Sequence, residues 1–182
     1  MADFNEAFNA TMGHEGGYVD DPTDSGGETY RGISRRFNPG WPGWKFIDVM
    51  KPNIDDDHLD KFVRKFYKML YWDKNRLDEF DQKTANEMFD TGVNMGARKA
   101  AKFLQRALSA LNRNGQLFPD LVDDGVIGNK TFSAMLRIAK EKDGDVLLKI
   151  MNVLQGMHYI DYMKKSPEQE KYARGWFKRV KL

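Results

Sequence analysis

The chain contains no cysteine and has only three histidines, His14, His58 and His158. The lack of cysteine excludes disulfide bonds and thiolate metal sites. The histidines stand far apart, whereas the histidine ligands of one metal site usually recur within a few residues. We therefore expect neither a bound metal nor another cofactor.

Long apolar runs are also missing. No stretch approaches the run of about 18 apolar residues that indicates a transmembrane helix. The N-terminus lacks the basic region followed by an apolar run that marks an export signal. We expect a chain that is made in the cytoplasm without a signal peptide and has no stable membrane insertion.

Charge of one sign does not predominate either. The chain has 29 Lys and Arg against 27 Asp and Glu, a net charge of +2, so we expect no nucleic-acid partner. With 182 residues, 41% of them hydrophobic, it is long enough to bury a core of its own. No internal repeat or heptad pattern is present, and we expect a monomer.

The chemically richest part of the sequence is residues 14–34, where glycines and carboxylates alternate with two tyrosines. Before it, Asp3 and Glu6 have the spacing of a helix capping box. The following residues recur at helical spacing on one face: Phe4, Phe8, Thr11, Met12 and Glu15. We predict that Gly16-Gly17 ends this helix.

Glu15 would then lie on the inner face at the C-terminus of the first helix. Both partial burial and the helix dipole would oppose its ionisation and raise its pKa. A carboxyl group that stays protonated near neutral pH can act as a general acid. The alternative is a surface glutamate at a frayed helix end.

Residues 18–34 predict a small hairpin. Tyr18-Val19 and residues 30–33 have the composition of strands, and the turn falls at Asp24-Ser25-Gly26-Gly27. Folding the hairpin back would direct Asp24 and Thr29 toward Glu15. Such a pair could activate a water molecule.

The same stretch combines several short motifs: Glu15-Gly16-Gly17-Tyr18, Asp21-Pro22, Asp24, Gly26-Gly27, Thr29 and Gly32-Ile33-Ser34. Together they resemble the signature of the glycoside hydrolase family 108 N-acetylmuramidases. These lysozyme-like enzymes occur among phage and prophage endolysins and bacterial proteins once labelled secretion activators. The resemblance implies that Glu15 is the catalytic acid. It also implies that peptidoglycan glycan strands are the substrate, reached after release by another agent.

Aromatic residues near this stretch are candidates for binding the glycan. Aromatic rings can stack on the apolar faces of sugars, but they serve equally often as core packing. Residues 35–44 predict a loop because Pro and Gly recur in it. The candidates are Tyr18, Tyr30, Trp41, Trp44 and Tyr71.

The rest of the chain predicts amphipathic helices. A helix should follow Asp55-Asp56-Asp57, and two more should flank Asn94-Met95-Gly96. Ser166-Pro167 and Gln169 predict the start of the last helix, which should bury Tyr172, Trp176, Phe177 and Val180. Two further buried stripes are predicted, one of Phe132, Met135, Leu136 and Ala139, the other of Val146, Leu147, Ile150, Val153, Leu154, Met157 and Ile160.

Residues 112–128 are the one plausible internal boundary, because turn residues gather there. Asp124-Gly125-Val126-Ile127-Gly128, with Thr131, resembles a motif of peptidoglycan-binding helical modules. A simple turn between two helices would explain the same residues. Both interpretations stay open at this point.

These observations predict a mainly α, lysozyme-like fold, a helical bundle with a small β-hairpin after the first helix. We expect a single compact unit over residues 1–182, with a catalytic part at about 1–96 and a peptidoglycan-domain-like part at about 97–182. The resemblance implies hydrolysis of the β-1,4 bond between N-acetylmuramic acid and N-acetylglucosamine. The alternatives are a non-catalytic wall-binding or secretion-assisting protein and a lytic transglycosylase.

The spacing of the two acids gives a prediction about stereochemistry. Asp24, aided by Thr29, lies across the predicted hairpin from Glu15 and would activate water on the opposite face of the sugar. Inverting enzymes use such a pair at roughly 6.5 to 9.5 Å. If Asp24 does not serve, the other candidates are Asp20, Asp21 and Glu28.

Overall fold

Helices dominate the computed structural model, which describes residues 1–13, 17–20, 27–51, 53–54 and 56–181. The described part contains eight α-helices and a small sheet, so the mainly α prediction is confirmed. In chain order the elements before the middle of the chain are α1 (Phe4–Met12), β1 (Tyr18–Val19), β2 (Thr29–Tyr30), β3 (Ile33–Ser34), α2 (Gly43–Met50), α3 (Asp56–Tyr67) and a π-helical turn (Lys68–Trp72). Two short 3-10 turns (Asp73–Asn75 and Leu77–Glu79) lead into the second half, which consists of α4 (Gln82–Met95), α5 (Ala97–Ala110), α6 (Asn129–Lys140), α7 (Gly144–Lys165), a 3-10 segment (Pro167–Tyr172) and α8 (Ala173–Phe177).

The first helix begins as predicted and ends earlier. The Asp3 carboxylate accepts hydrogen bonds from the backbone N–H groups of Asn5 and Glu6, which caps α1. The Asp3 N–H, however, donates to the Gln82 side chain at 2.6 Å, so the return bond of a capping box comes from α4. The prediction that Gly16-Gly17 ends the helix is wrong, because Gly13 ends it with a φ of 45°.

Residues 30–33 are not one strand. The sheet is antiparallel with the order β1-β2-β3, and Tyr30 pairs with Ile33. Arg31 and Gly32 form the two-residue turn between β2 and β3, both with positive φ, 44° and 79°. A two-residue turn with this geometry matches the twist of neighbouring strands. Residues 24–26 of the other predicted turn lie outside the described residues.

The core forms where α1, the π-helical turn and α4 meet. The rings of Phe8, Trp72 and Phe89 each lie between 5.5 and 5.7 Å from the ring of Phe4. After this cluster, α4 and α5 pack closely against each other on either side of Gly96, as predicted. A β-carbon added at Gly92 would be in ordinary van der Waals contact with the Ala97 α-carbon, at 3.6 Å.

Several predicted buried stripes are wrong in detail. In α7 the exposed residues include Val146, Val153, Met157 and Ile160, and the buried ones are Leu147, Met151, Asn152, Gln155, Gly156, Tyr159 and Met163. Leu136 in α6 is exposed, as are Tyr172 and Phe177 near the C-terminus. Residues 43–50, which include part of the predicted loop, are helical. A 3-10 turn starts at Pro167, without a side-chain cap from Ser166.

Candidate functional site

One open cleft of about 570 Å³ joins the early and late parts of the chain. Its walls combine the end of α1, the β2–β3 turn, the end of α3, the end of α4 and the C-terminal segment, which is residues 167–181. The lining residues are Thr11, Met12, Gly32, Tyr67, Val93, Asn94, Lys171, Tyr172, Gly175, Trp176 and Arg179. The lining contains both polar groups and aromatic rings. This combination suits a sugar, because a sugar ring has hydroxyl groups at its edge and apolar faces.

Tyr67 of α3 holds the β2–β3 turn in place at the wall of the cleft. The Tyr67 hydroxyl donates to the backbone carbonyl of Arg31 at 2.8 Å. A β-carbon added at Gly32 would lie 2.6 Å from the same hydroxyl, so only glycine allows this approach. The Arg31 guanidinium reaches back to α3 and pairs with Asp60 at 2.8 Å. Backbone and side chain together therefore hold this wall in one position.

The C-terminal wall is an aromatic stack tied down by polar bonds. Trp176 stacks on Tyr159 of α7, with ring centroids 5.1 Å apart. The Tyr159 hydroxyl accepts a hydrogen bond from the Asn94 amide at 3.0 Å, which joins α7 to the end of α4. Burial is the main reason why the pKa of Tyr159 rises to about 12, so the hydroxyl stays neutral.

Two further bonds anchor the end of the C-terminal segment. The Arg179 guanidinium pairs with Asp90 of α4 at 2.5 Å. The backbone N–H of Lys181 donates to the Asn152 side chain of α7, also at 2.5 Å. Gly156 faces this segment, because a β-carbon there would lie 3.5 Å from the Phe177 ring. The C-terminal segment therefore packs against both α4 and α7.

A buried carboxyl group lies between α4 and α7. Glu87 is 8% exposed and accepts a hydrogen bond from the Thr91 hydroxyl at 3.2 Å. Thr91 in turn accepts from the Gln155 amide at 3.3 Å. Burial raises the pKa of Glu87, and the nearby Asp90 adds to the rise, although hydrogen bonds from Asn152 and Thr91 oppose it.

Sequence analysis missed this polar layer. Its members, Glu87 and Thr91 of α4 and Gln155 of α7, come from two helices, and the bond that joins them spans 64 residues of sequence, so no local motif links them. The one signal was a glycine in the interior of α7, since an interior helical glycine often marks a close approach by another segment. The cleft residues Asn94, Lys171 and Arg179 were missed for the same reason, because distant parts of the chain supply them.

The two predicted catalytic acids, Glu15 and Asp24, lie outside the described residues, as does Asp21. Thr29 is described, and its hydroxyl donates to the Gly27 carbonyl at 2.9 Å. Glu28, a further candidate for the base, lies instead in an ion-pair network with Lys51 and Arg35. Burial opposes its ionisation, but these two cations and the Tyr18 hydroxyl outweigh that effect and lower the pKa of Glu28. Glu28 is therefore a stable carboxylate that supports the sheet.

Most of the predicted aromatic binding residues form core contacts. Tyr30 is fully buried and Trp44 is 2% exposed, so neither ring has a face for a sugar. Trp41 is also buried, stacks on Tyr30 at 6.0 Å, and donates to the Phe62 carbonyl at 3.3 Å. The packing role that the sequence left open therefore describes these three residues.

The other two candidates are half-buried. The Tyr18 hydroxyl donates to Glu28 at 2.9 Å, and the Lys51 ammonium lies 4.7 Å from the Tyr18 ring. Tyr71 stacks on Tyr67 at 5.6 Å, so it supports a ring that lines the cleft without lining the cleft itself. Burial raises the pKa of both phenols.

The Asp124-to-Gly128 motif forms a turn built on α5. The buried Gln105 amide donates to the Asp124 carboxylate at 2.8 Å and to the Val126 carbonyl at 3.0 Å. Its oxygen accepts from the Gly125 N–H at 2.8 Å. Gln105 thus satisfies both sides of the turn. These bonds explain the motif as a structural connection between α5 and α6.

Two kinds of feature do not occur in the described part of the chain. Among the described helices, none combines the length and the apolar character that a membrane span requires. The described residues also contain no group of three His, Asp or Glu side chains that could hold a metal ion.

The mainly helical fold, the small antiparallel sheet after the first helix and the open cleft define a lysozyme-like protein. Residues 8–96 match the family model described as Glycosyl hydrolase 108, and residues 99–181 match the one described as Predicted Peptidoglycan domain. Residues 8–96 therefore form a glycosyl hydrolase 108 segment, and the segment that matches the peptidoglycan domain follows it. The chain is a protein that acts on peptidoglycan.

The whole chain also has a solved relative. It is similar to SagA of Brucella abortus, with 25% sequence identity and a TM-score of 0.63. The match covers 97% of this chain and 88% of that one. No curated protein sequence matches the chain.

Proposed function

We propose that the protein is an N-acetylmuramidase that hydrolyses the β-1,4 bond between N-acetylmuramic acid and N-acetylglucosamine, with Glu15 as the general acid. The observation that carries this proposal is the position of the cleft. Thr11 and Met12 at the end of α1 line it. Glu15 follows Met12 by three residues, and a segment of that length spans at most about 11 Å. Glu15 is thus close in sequence to this wall of the cleft, and it lies within the segment that matches the Glycosyl hydrolase 108 model.

The described walls of the cleft support glycan binding. Asn94 offers an amide and Thr11 a hydroxyl for the acetamido and hydroxyl groups of amino sugars, and Tyr172 and Trp176 offer aromatic surface. In the proposed reaction, Glu15 protonates the glycosidic oxygen as the bond breaks. The leaving sugar then departs as a neutral alcohol.

For the water we propose the inverting arrangement with Asp24 as the base and Thr29 beside it. The Thr29 hydroxyl already donates to Gly27, and its lone pairs remain able to accept from a water molecule. An inverting enzyme gives the α-anomer first, whereas a retaining one gives the β-anomer. Proton NMR of the first product formed from soluble glycan distinguishes the two.

Digestion of purified sacculi tests the activity, with mass spectrometry of the soluble fragments. Reducing N-acetylmuramic acid ends would support a muramidase, and 1,6-anhydro ends would support a lytic transglycosylase instead. An absence of soluble fragments would favour a non-catalytic wall-binding or secretion-assisting protein. Each of these three results supports a different function for the protein.

The Glu15→Gln variant tests the acid itself. We expect it to lose at least about a hundredfold of the hydrolytic rate, because glutamine keeps the size of the side chain but cannot deliver a proton. Glu6→Gln is the matched control, since Glu6 is an exposed residue of α1 outside the cleft lining. Near-wild-type hydrolysis by folded Glu15→Gln would remove Glu15 from this role.

A further inference from the structure

The cleft has a positive side, and the C-terminal segment supplies it. Lys171 and Arg179 both line the cleft, and none of its described lining residues is a carboxylate. The two cations differ in their surroundings. Arg179 is paired with Asp90 at 2.5 Å, whereas the exposed Lys171 forms no ion pair among the described residues. Lys171 is therefore the cation with capacity for a ligand.

An aromatic platform lies directly beside this lysine. Tyr172 is 48% exposed, and the Lys171 ammonium is 4.9 Å from the centre of its ring. Behind Tyr172, the Trp176 ring lies 5.8 Å away and stacks in turn on Tyr159. The Tyr172 ring thus contacts the Trp176 ring, which is itself held by Tyr159, and about half of Tyr172 remains exposed to solvent. A ligand that fits this wall has a sugar face next to a negative charge.

We propose that Lys171 and Tyr172 form a subsite that recognises a carboxylate-bearing amino sugar. The Lys171 ammonium pairs with the carboxylate, and the Tyr172 ring packs against the sugar. This proposal rests on the proposed function only in taking a peptidoglycan strand as the ligand. The subsite lets the protein distinguish such a strand from an uncharged polymer of N-acetylglucosamine.

Two carboxylates of peptidoglycan satisfy this chemistry. One is the lactyl carboxylate of N-acetylmuramic acid, which is free when the peptide stem has been removed. The other belongs to the peptide stem itself. Stem-free glycan strands carry only the first, and stem-bearing fragments carry the second. Chitin oligosaccharides carry neither and serve as the uncharged probe.

Binding assays with these three probes test the subsite, and they are best done in the Glu15→Gln background so that no probe is cut. Lys171→Gln should weaken binding of at least one carboxylate-bearing probe about fivefold. This is about the largest loss of affinity expected when an exposed ion pair is removed. Binding of chitin oligosaccharides should not change. The difference should shrink as salt is added, because ions screen an exposed pair.

Two control variants define the charge and the position. Lys178→Gln removes a charge from an exposed residue of the same segment outside the cleft lining, so it should leave all three affinities unchanged. Lys171→Arg keeps the charge and should restore most of the affinity. Tyr172→Ala should weaken binding of charged and uncharged probes alike, because the ring meets the sugar and not the carboxylate.

The pattern of losses decides the proposal. A loss for stem-free strands identifies the lactyl carboxylate as the ligand, and a loss only for stem-bearing fragments identifies the stem. The subsite would be overturned if Lys171→Gln and Lys178→Gln bound every probe with equal affinity, or if neither carboxylate-bearing probe bound the protein. A binding difference in a protein that never cuts sacculi would support the subsite and reject the muramidase, so the two proposals fail separately.

Discussion

Gly125 illustrates how much a single residue contributes to the connection between α5 and α6. Its φ of 76° lies in the left-handed region, and its N–H donates to the buried Gln105. A β-carbon there would lie 2.4 Å from Arg98 Cγ and 2.7 Å from the Arg98 carbonyl oxygen. Both the backbone conformation and the packing thus require glycine.

We predict that Gly125→Ala lowers the free energy of unfolding by about 2 kcal/mol or more, since it combines backbone strain with a steric clash. Gly128→Ala is the matched control, because Gly128 has a φ of −95° and open space around its α-carbon. Urea denaturation of the two variants measures the difference. Equal stabilities would mean that the turn relaxes freely and that Gln105 does not fix it.

At the scale of elements, α7 shows why helical periodicity alone can select the wrong face. The helix has apolar residues around most of its circumference. Of the predicted stripe, Leu147 is buried, whereas four members are exposed: Val146, Val153, Met157 and Ile160. The face that is buried follows a spacing of four residues through Leu147, Met151, Gln155, Tyr159 and Met163. A buried glutamine in that row hides the pattern, because its burial depends on Thr91 of α4.

The sequence predicted elements better where a local signal marks them. The Asp3 cap and the Gly96 break between α4 and α5 are where they were expected, since both depend on residues close in sequence. The turn at Arg31-Gly32 was missed because arginine rarely adopts a positive φ, and here Tyr67 and Asp60 hold it there. For the candidate site, the sequence predicts catalytic acids at Glu15 and Asp24, which lie outside the described residues, and it gave no sign of the C-terminal wall.

The buried Glu87 between α4 and α7 gives a prediction about pH. Its pKa is raised in the folded protein above the ordinary value of 4.5, so the folded state binds the proton more tightly than the unfolded state does. Its contribution to stability is therefore full below about pH 4.5 and is lost as pH rises through the folded pKa. Glu87→Gln cannot ionise and should escape this loss.

We expect the melting temperature of Glu87→Gln to exceed that of the wild type by an amount that grows as pH rises above 4.5. The glutamine oxygen can still accept from the Thr91 hydroxyl, so the packing should be preserved. Scanning calorimetry at several pH values measures the effect, with the exposed Glu168→Gln as the control. A difference that stays constant with pH would show that Glu87 does not titrate in this range.

At the scale of the whole molecule, the cleft exists only because the end of the chain returns to its first half. The family segment supplies the end of α1, the β2–β3 turn and Asn94, and the peptidoglycan domain supplies Lys171, Tyr172 and Trp176. Asp90 and Arg179 join the two segments across 89 residues of sequence. A bound strand would therefore contact both.

This arrangement predicts that the ion pair between Asp90 and Arg179 affects substrate binding more than the rate of the chemical step. Asp90→Asn, Arg179→Gln and the double variant should show a coupling of about 1 to 2 kcal/mol in stability, as expected of a partly buried, charge-assisted bond. Loosening the C-terminal wall should raise KM for soluble glycan while kcat changes little, because the proposed acid lies in the other segment.

The pair from Lys83 to Asp145 provides a comparison, since it also joins α4 to the second half of the chain, here to α7, at 3.2 Å. Its side chains are 74% and 81% exposed, so the same double-variant cycle should give no measurable coupling and leave KM unchanged. If both cycles behave alike, the C-terminal segment is held by its other contacts, the aromatic stack on Tyr159 and the bond from the Lys181 N–H to Asn152. A fall in kcat without a change in KM would instead indicate that Arg179 acts in the reaction, because binding of the ground state would then be unaffected.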